Sequence, residues 1–444
     1  MDQEKFEVQL PGGAIVGLRK DGIFQARGIK YAQSKRFESP KPLSKWDTAL
    51  DGTKPASICP QRPSRLNSVT GDLIKGRVMD EDCLHLTITA PAHAIDKGLK
   101  LPVLVFLHGG ANVSGGGDLD CYLPQSLVNR GIVVVNVTYR LGIFGWVPID
   151  GISPANLGLL DQIEALRWVQ KNISHIGGDS QQVTVSGHSV GAYAIYCMMI
   201  ADEASGLFQH AILQSTPFEW QTVSGLGSDQ LSNVARQVIQ GDPLTMSAEE
   251  LLSAQLTIMP EARRLGLPRT FAWAHFGKYP LPEISEIPTR VEKAAKNYSI
   301  LITWAQNESV AFVPMLPSYP LWSDLPLIGS MMKQVAAWWY SQNEFIWPSQ
   351  KFHRTFSKAG GHSSTVCFSW SPEKSPLGAV HCIELPFVHG SWDSWKGAPM
   401  LQGSNLEDVN RIGLEVTNLW AAFISGNVIT SGHHDIDRGF LFSS

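Results

Sequence analysis

Charge is sparse in this 444-residue chain: Asp, Glu, Lys and Arg make up 17% of it, against roughly 25% in ordinary soluble domains. The net charge is −4, which gives no reason to expect nucleic acid or an anionic membrane as a partner. No apolar run approaches the roughly 18 residues that a membrane span requires. The opening Met-Asp-Gln-Glu-Lys-Phe-Glu-Val has no basic n-region, apolar h-region or small-residue cleavage site. A cytoplasmic protein is therefore expected, or a secreted one if the chain is a trimmed mature form. Cysteine is sparse as well. Cys59, Cys83, Cys121, Cys197, Cys367 and Cys382 are scattered without a Cys-x-x-Cys pair, so the spacing of a metal site is absent. Internal repeats and low-complexity tracts are missing too. Sequons occur at Asn112, Asn136, Asn172, Asn297 and Asn307, but several fall in expected core strands or loops, so glycans are not expected.

What the chain does have is apolar surface. It is 43% hydrophobic, with 14 Trp and 18 Phe, enough for a large core and for the wall of an apolar pocket. Short β-branched runs alternate with helical patterns, which predicts βαβ units and a mainly parallel sheet. Strands are expected at Leu101–Leu107, Gly131–Thr138, Val183–Ser186, Ala211–Gln214, Tyr298–Trp304 and Thr365–Trp370. Between the second and third, Leu157, Leu160, Ile163, Leu166 and Val169 recur every three residues, which predicts an amphipathic helix over Asn156–Ile173. Val190–Ile200 reads as a second helix, with small residues facing the sheet. Residues 216–297 and 314–360 fit the rhythm poorly and are rich in proline. They are expected to be excursions forming a helical cap on a single domain spanning 1–444.

One turn stands out. Val183–Ser186 breaks into Gly187-His188-Ser189-Val190-Gly191 just before the second helix. Gly-x-Ser-x-Gly in that context forces a sharp strand-to-helix turn with the serine exposed at its tip. A serine nucleophile there needs a base, an orienting acid and donors for an oxyanion. The partners follow in the order serine, acid, histidine, each after a strand. The polar turn after Tyr298–Trp304 holds one carboxylate, Glu308. After Thr365–Trp370, His381 lies among apolar neighbours; His353, His362 and His389 are poorer candidates, and Glu384 is the rival acid. After Leu101–Leu107 comes His108-Gly109-Gly110-Ala111-Asn112, followed by Gly115-Gly116-Gly117. Such a loop can turn successive amides toward one point and, with the Val190 amide, form an oxyanion hole. A phosphate loop is excluded because no Lys-Ser/Thr follows, and the dinucleotide spacing is absent.

At this point the chain resembles the type-B carboxylesterase family, over residues 8 to 425. The likeness rests on Gly28-Ile29-Lys30-Tyr31-Ala32 with Arg36-Phe37, Glu81-Asp82-Cys83-Leu84 and Tyr139 to Gly145. Asn156 to Gln162, Gly177-Gly178-Asp179 and Ala211 to Ser215 also fit. The resemblance implies an α/β-hydrolase fold, a mainly parallel central sheet flanked by helices with a helical cap. It implies Ser189, Glu308 and His381 as a catalytic triad, with Gly110, Ala111 and Val190 as oxyanion donors. It also implies an Arg36–Glu81 pair, a buried Ser215 near the acid, and a first disulfide between Cys59 and Cys83, which stays reduced in a cytosolic chain.

Several departures bear on function. His188 stands where the family usually has Glu, Ala111 replaces a glycine and Val190 replaces an alanine. Only 73 residues separate Glu308 from His381. The segment between Cys59 and Cys83 has no Trp, which argues against choline esters. The function expected is hydrolysis of carboxylic esters, apolar or aromatic ones, through an acyl-enzyme, with a small-molecule ester as the partner and no metal or organic cofactor. The alternatives are an acyltransferase or lactone-forming enzyme using the same residues and, from another class, a non-catalytic neuroligin-like binding protein.

Overall fold

The β-branched runs form the middle of a large mixed sheet. The computed structural model describes residues 3–218, 222–264, 266, 274–316, 318–321, 325, 328–389, 392–427, 429, 433–436 and 441–442. Its strands are β1 (Glu4–Leu10), β2 (Gly13–Lys20), β3 (Ile23–Lys30), β4 (His85–Pro91), β5 (Leu101–Leu107) and β6 (Val133–Val137). They continue as β7 (Gly178–His188), β8 (His210–Gln214), β9 (Ser299–Ala305), β10 (His362–Phe368), β11 (His433–Ile436) and β12 (Leu441–Phe442). Across the sheet the order is β1-β2-β3-β4-β6-β5-β7-β8-β9-β10-β11-β12. Every neighbouring pair from β6 to β11 is parallel. At the amino-terminal edge, β1 to β4 form an antiparallel meander, which the expectation of βαβ units did not include.

The main helices are α1 (Leu157–Asn172), α2 (Val190–Ile200), α3 (Gly225–Val238), α4 (Ala248–Arg264), α5 (Ile287–Ala295), α6 (Ile328–Ser341), α7 (Trp347–Lys358) and α8 (Leu406–Ile424). Successive side chains on a strand point to opposite faces, and β5 shows the result. Val103, Val105 and Leu107 join the apolar layer under α1 and α2, while Leu104 and Phe106 join the layer that holds Ile412, Val416 and Trp420 of α8. Burial on both faces is what a continuous apolar run in a parallel sheet requires. The stretch 216–297 ends in α5, which packs on α2, and the stretch 314–360 ends in α7, which packs on β9 and β10. Among the described residues no helix is long and apolar enough to cross a membrane.

Two buried ionic contacts brace the loops around the strand ends. Arg140 grips Asp161 of α1 with both ends of its fork, at 2.8 and 2.6 Å. Asp118 accepts from Arg27 Nε, Thr87 Oγ1 and the Ala56 amide, each at 2.6 Å. The register then sets the site. Gly187 pairs with Leu107, His188 with Gln214, Gln214 with Thr303, and Ala305 with Phe368. The carboxyl ends of five parallel strands therefore finish level with one another, where ligands of such sheets bind.

Candidate active site

Ser189 sits between β7 and α2 with φ 56° and ψ −122°, a conformation L-residues rarely adopt. Strain of this kind costs on the order of 1–3 kcal/mol and persists only where the surroundings impose it. Here the Ser189 amide donates to the Gln214 carbonyl at 2.8 Å. A Cβ on Gly191 would lie 2.2 Å from the Leu107 carbonyl, so only glycine lets α2 start this close to β5. The serine is left partly exposed in a cavity of about 250 Å³.

Glu308 opens a short 3-10 turn directly after β9 and is fully buried. Its Oε1 accepts the Ala305 amide at 2.8 Å, and its Oε2 lies 2.5 Å from Nδ1 of His381. The Ser215 hydroxyl lies beside the carboxyl without reaching good hydrogen-bond geometry. The loop carrying His381 is fastened to the same turn through Asn307, whose amide donates to the Ala379 carbonyl at 2.8 Å. Asn307 Oδ1 accepts the Ala379 amide in return, at 3.1 Å. Phe312 and Phe345 flank the imidazole at ring separations of 5.1 and 5.3 Å. Burial pushes the Glu308 carboxyl up, opposed by the Ser215 hydroxyl and the Ala305 amide, and pushes the imidazole down. A neutral imidazole with Nδ1 tied to a carboxyl is free to accept a proton at Nε2. His381 and Ser189 line the same cavity.

The glycine loop closes the third side. Gly110, Ala111 and Asn112 have φ of 108°, 56° and 55°. A Cβ on Gly110 would come within 2.0 Å of the Ser114 carbonyl, so the turn requires glycine there. Gly109 lies against the elbow, since a Cβ on it would sit 3.3 Å from that of Ser189. Among the described residues, no backbone carbonyl accepts from the Gly110 or Ala111 amide. The loop is buttressed from α4, where Gln255 Oε1 accepts the Ile143 amide at 2.7 Å while the Gly142 amide donates to the Asn112 carbonyl at 2.6 Å.

With that arrangement in view, the relatives are informative. The carboxylesterase family model matches residues 4–325. This chain belongs to the carboxylesterase family. It is 34% identical over 422 residues to a probable N-octanoylanthranilate hydrolase of Rhodococcus erythropolis, covering 94% of this chain and 92% of the relative. To the para-nitrobenzyl esterase of Bacillus subtilis it is 32% identical over 453 residues, covering 94% and 89%. Among solved structures, a thermophilic para-nitrobenzyl esterase superposes with a TM-score of 0.81 at 28% identity, over 96% of this chain and 94% of that one. A carboxylesterase of Geobacillus stearothermophilus does so with 0.79 at 25%, over 97% and 96%. The protein is a serine hydrolase of carboxylic esters with the α/β-hydrolase fold. Hydrolysis, rather than transfer of the acyl group to an alcohol, is the reaction these relatives support.

Other features of this carboxylesterase depart from expectation or complete it. Cys59 and Cys83, the pair that the resemblance implies as a disulfide, are brought together as free, buried thiols in hydrogen-bond contact. Cys59 Sγ also accepts the Leu141 amide at 3.2 Å. The contact with Cys59, together with burial, pushes the Cys83 thiol well up, away from the thiolate that oxidises. Arg36 and Glu81 do pair, with Nε to Oε2 at 2.8 Å, and Arg36 reaches on to the Pro243 carbonyl at 2.9 Å. Glu384, the rival acid, faces His188 rather than His381, with Nε2 and Oε1 3.6 Å apart. A buried carboxyl thus stands behind His188, just before the short helix Leu385–His389, without lining the cavity itself. Burial and then the Glu308 charge push it up to about 8. His353 bonds Ser363 at 2.8 Å, and His389 packs on Phe106 at 4.2 Å. Among the described residues, one cluster could hold a metal. His188, His381 and Cys382 bring ligand atoms within 4.8 Å of one another, but an ion there would compete for the imidazole that already contacts Glu308 through Nδ1.

The residues that sequence reasoning missed are Phe312, Phe345, Gln255 and the arginines of the cavity wall, Arg62 and Arg65. Phe345 comes from a π-helical turn, Gln342–Ile346, between α6 and α7. A π-turn is a recurrent mark of functional sites, but no residue pattern announced it.

Proposed function

We propose that Ser189 is the nucleophile, His381 its base, Glu308 the orienting acid, and Gly110, Ala111 and Val190 the oxyanion donors. The 2.5 Å contact between Glu308 Oε2 and His381 Nδ1, beside the strained serine, carries this reading. The Ser189 hydroxyl proton passes to His381 Nε2 as Oγ bonds to the ester carbonyl carbon. Glu308 holds Nδ1–H and stabilises the imidazolium. The carbonyl oxygen takes up negative charge facing the three amides, each worth on the order of 10²–10³ in rate. The carbon–oxygen bond to the alcohol breaks as His381 returns its proton to that oxygen. Water, deprotonated by the same imidazole, then attacks the acyl carbon and frees Ser189.

The substrate reading follows from the wall. Leu66, Leu73, Ile74, Leu119, Phe312 and Leu385 make it mostly apolar, and its described carboxylates are none. Arg62 and Arg65 are its cations. An apolar acyl or aromatic arm suits such a wall, and an anionic substituent on the other arm suits the positive charge of Arg65, since Arg62 is already paired with Glu249. N-octanoylanthranilate, for which one relative is named, combines an acyl chain with an aromatic carboxylate. We also read α3, α4 and α6 as a cap on a single domain, because Gln255 and Leu256 of α4 line the cavity. Replacing Ser189 with Ala should lower kcat for a short p-nitrophenyl ester by about 10⁶-fold with the thermal transition kept. Turnover at the parent rate would overturn the assignment.

A further inference from the structure

Helix α6 is amphipathic the wrong way round for a piece of a core. It turns Ala337 and Ser341 inward, where Ser341 Oγ accepts the Ser309 amide at 2.9 Å beside the turn bearing Glu308. Its large apolar residues face out: Met331 is 61% exposed, Val335 58% and Trp338 59%, with Met332 and Trp339 also exposed. At 3.6 residues per turn, positions 331, 335, 338 and 339 form one stripe. Contiguous exposed apolar patches on soluble proteins mark interaction sites, whereas a single exposed side chain does not.

The charge nearby narrows the partner. Through the π-turn Gln342–Ile346 the chain runs on into α7, whose exposed Trp347, Lys351, Arg354 and Lys358 recur four, three and four residues apart, the spacing of one helix face. Over residues 328–358 there are four cations, Lys333, Lys351, Arg354 and Lys358, against the single carboxylate of Glu344. The chain as a whole is acidic, at −4, so this is a local excess. Apolar and tryptophan side chains in one stripe with lysine and arginine beside them are the composition of helices that lie in the interface of an anionic bilayer. Indole rings settle at headgroup depth, and the cations are drawn to anionic lipid.

We propose that the outer face of α6 and α7 docks this esterase onto anionic lipid surfaces, lying on the bilayer rather than crossing it. Docking there sets the membrane against the elements that hold Glu308 and Phe345. The surface does not depend on the catalytic assignment, so each can fail without the other.

The test is flotation of the full chain with phosphatidylcholine vesicles and with vesicles rich in phosphatidylglycerol. The proposal expects recovery with the anionic vesicles to exceed that with phosphatidylcholine by about tenfold, and to fall at high salt. A Trp338→Ser/Trp339→Ser variant should lose about tenfold of that binding, and Lys351→Glu/Arg354→Glu should abolish its preference for anionic lipid. Hydrolysis of a water-soluble ester at the parent rate shows that each variant is folded. Absence of binding to anionic vesicles, or equal binding by the tryptophan variant, overturns the proposal. So does a concentration-dependent dimer that the tryptophan variant abolishes without any vesicle binding, since the stripe would then meet a second copy of the chain.

Discussion

Two corners of the same cavity each set a buried histidine against a buried glutamate. At one, His381 Nδ1 and Glu308 Oε2 are 2.5 Å apart; at the other, His188 Nε2 and Glu384 Oε1 are 3.6 Å apart. The residue types are the same and the burial nearly so, but the anchoring differs. Glu308 is fixed by the Ala305 amide and its turn is fastened to the histidine loop through Asn307. Glu384 receives a long 3.4 Å bond from Gln214, whose other end takes the Ser186 hydroxyl. Among the described residues, His188 Nε2 and Glu384 Oε2 have no hydrogen-bond partner. A histidine–carboxylate pair becomes a relay when neighbouring backbone fixes both members, and the second pair lacks that support.

Substitutions can break this comparison in order of effect. Replacing His381 with Ala should cost about as much as losing the serine, on the order of 10⁶ in kcat, whereas His188→Ala should keep most of the rate. Equal losses at the two histidines would dissolve the distinction. Glu308→Gln should lower kcat by about 10⁴, because an amide cannot hold the productive tautomer. Glu384→Gln, read in the same assay, should stay within about tenfold, since burial already holds that carboxyl largely protonated at neutral pH. A smaller effect sharpens the picture from the acid side. The His381 imidazole is pushed down by burial, so the base form persists below the ordinary imidazole value of about 6.5. The acid limb of kcat/KM should therefore fall below that pH, and a limb above it would contradict the burial argument. The smallest change concerns Ala111, which has φ 56° and lines the same cavity as Ser189. Ala111→Gly should raise relative activity toward tertiary-alcohol esters by about tenfold or less, roughly what one methyl group is worth in a pocket.

Much of this was legible in the residues, for reasons that differ from place to place. Leu101–Leu107 and Val190–Ile200 begin and end where expected because an apolar run and a glycine-bounded turn mark both ends. The strand expected at Val183–Ser186 spans Gly178–His188, because polar Asp179 to Gln182 extend it without an apolar signal. The strand expected at Thr365–Trp370 is His362–Phe368, three residues earlier at its start, because pairing with Ser299–Ala305 fixes its register. Glu308 and His381 were singled out by slot, one after each strand, and meet in space although they are 73 positions apart in the chain. Phe312, Phe345 and Arg65 were not found, since cavity walls are assembled from segments whose local pattern matches ordinary core or surface. The outward tryptophans of α6 were visible in the sequence, but which way they faced was a matter of packing.

The most direct measurement is the site and rate of reaction with a fluorophosphonate, read by mass spectrometry in parent, His381→Ala, Glu308→Gln and Glu384→Gln proteins. The account predicts a single adduct on Ser189 in the parent, formed nearly as fast in the Glu384 variant, far more slowly in the Glu308 variant, and slowest without His381. An adduct on any other residue, or a Glu308 variant that reacts as fast as the parent, would contradict it.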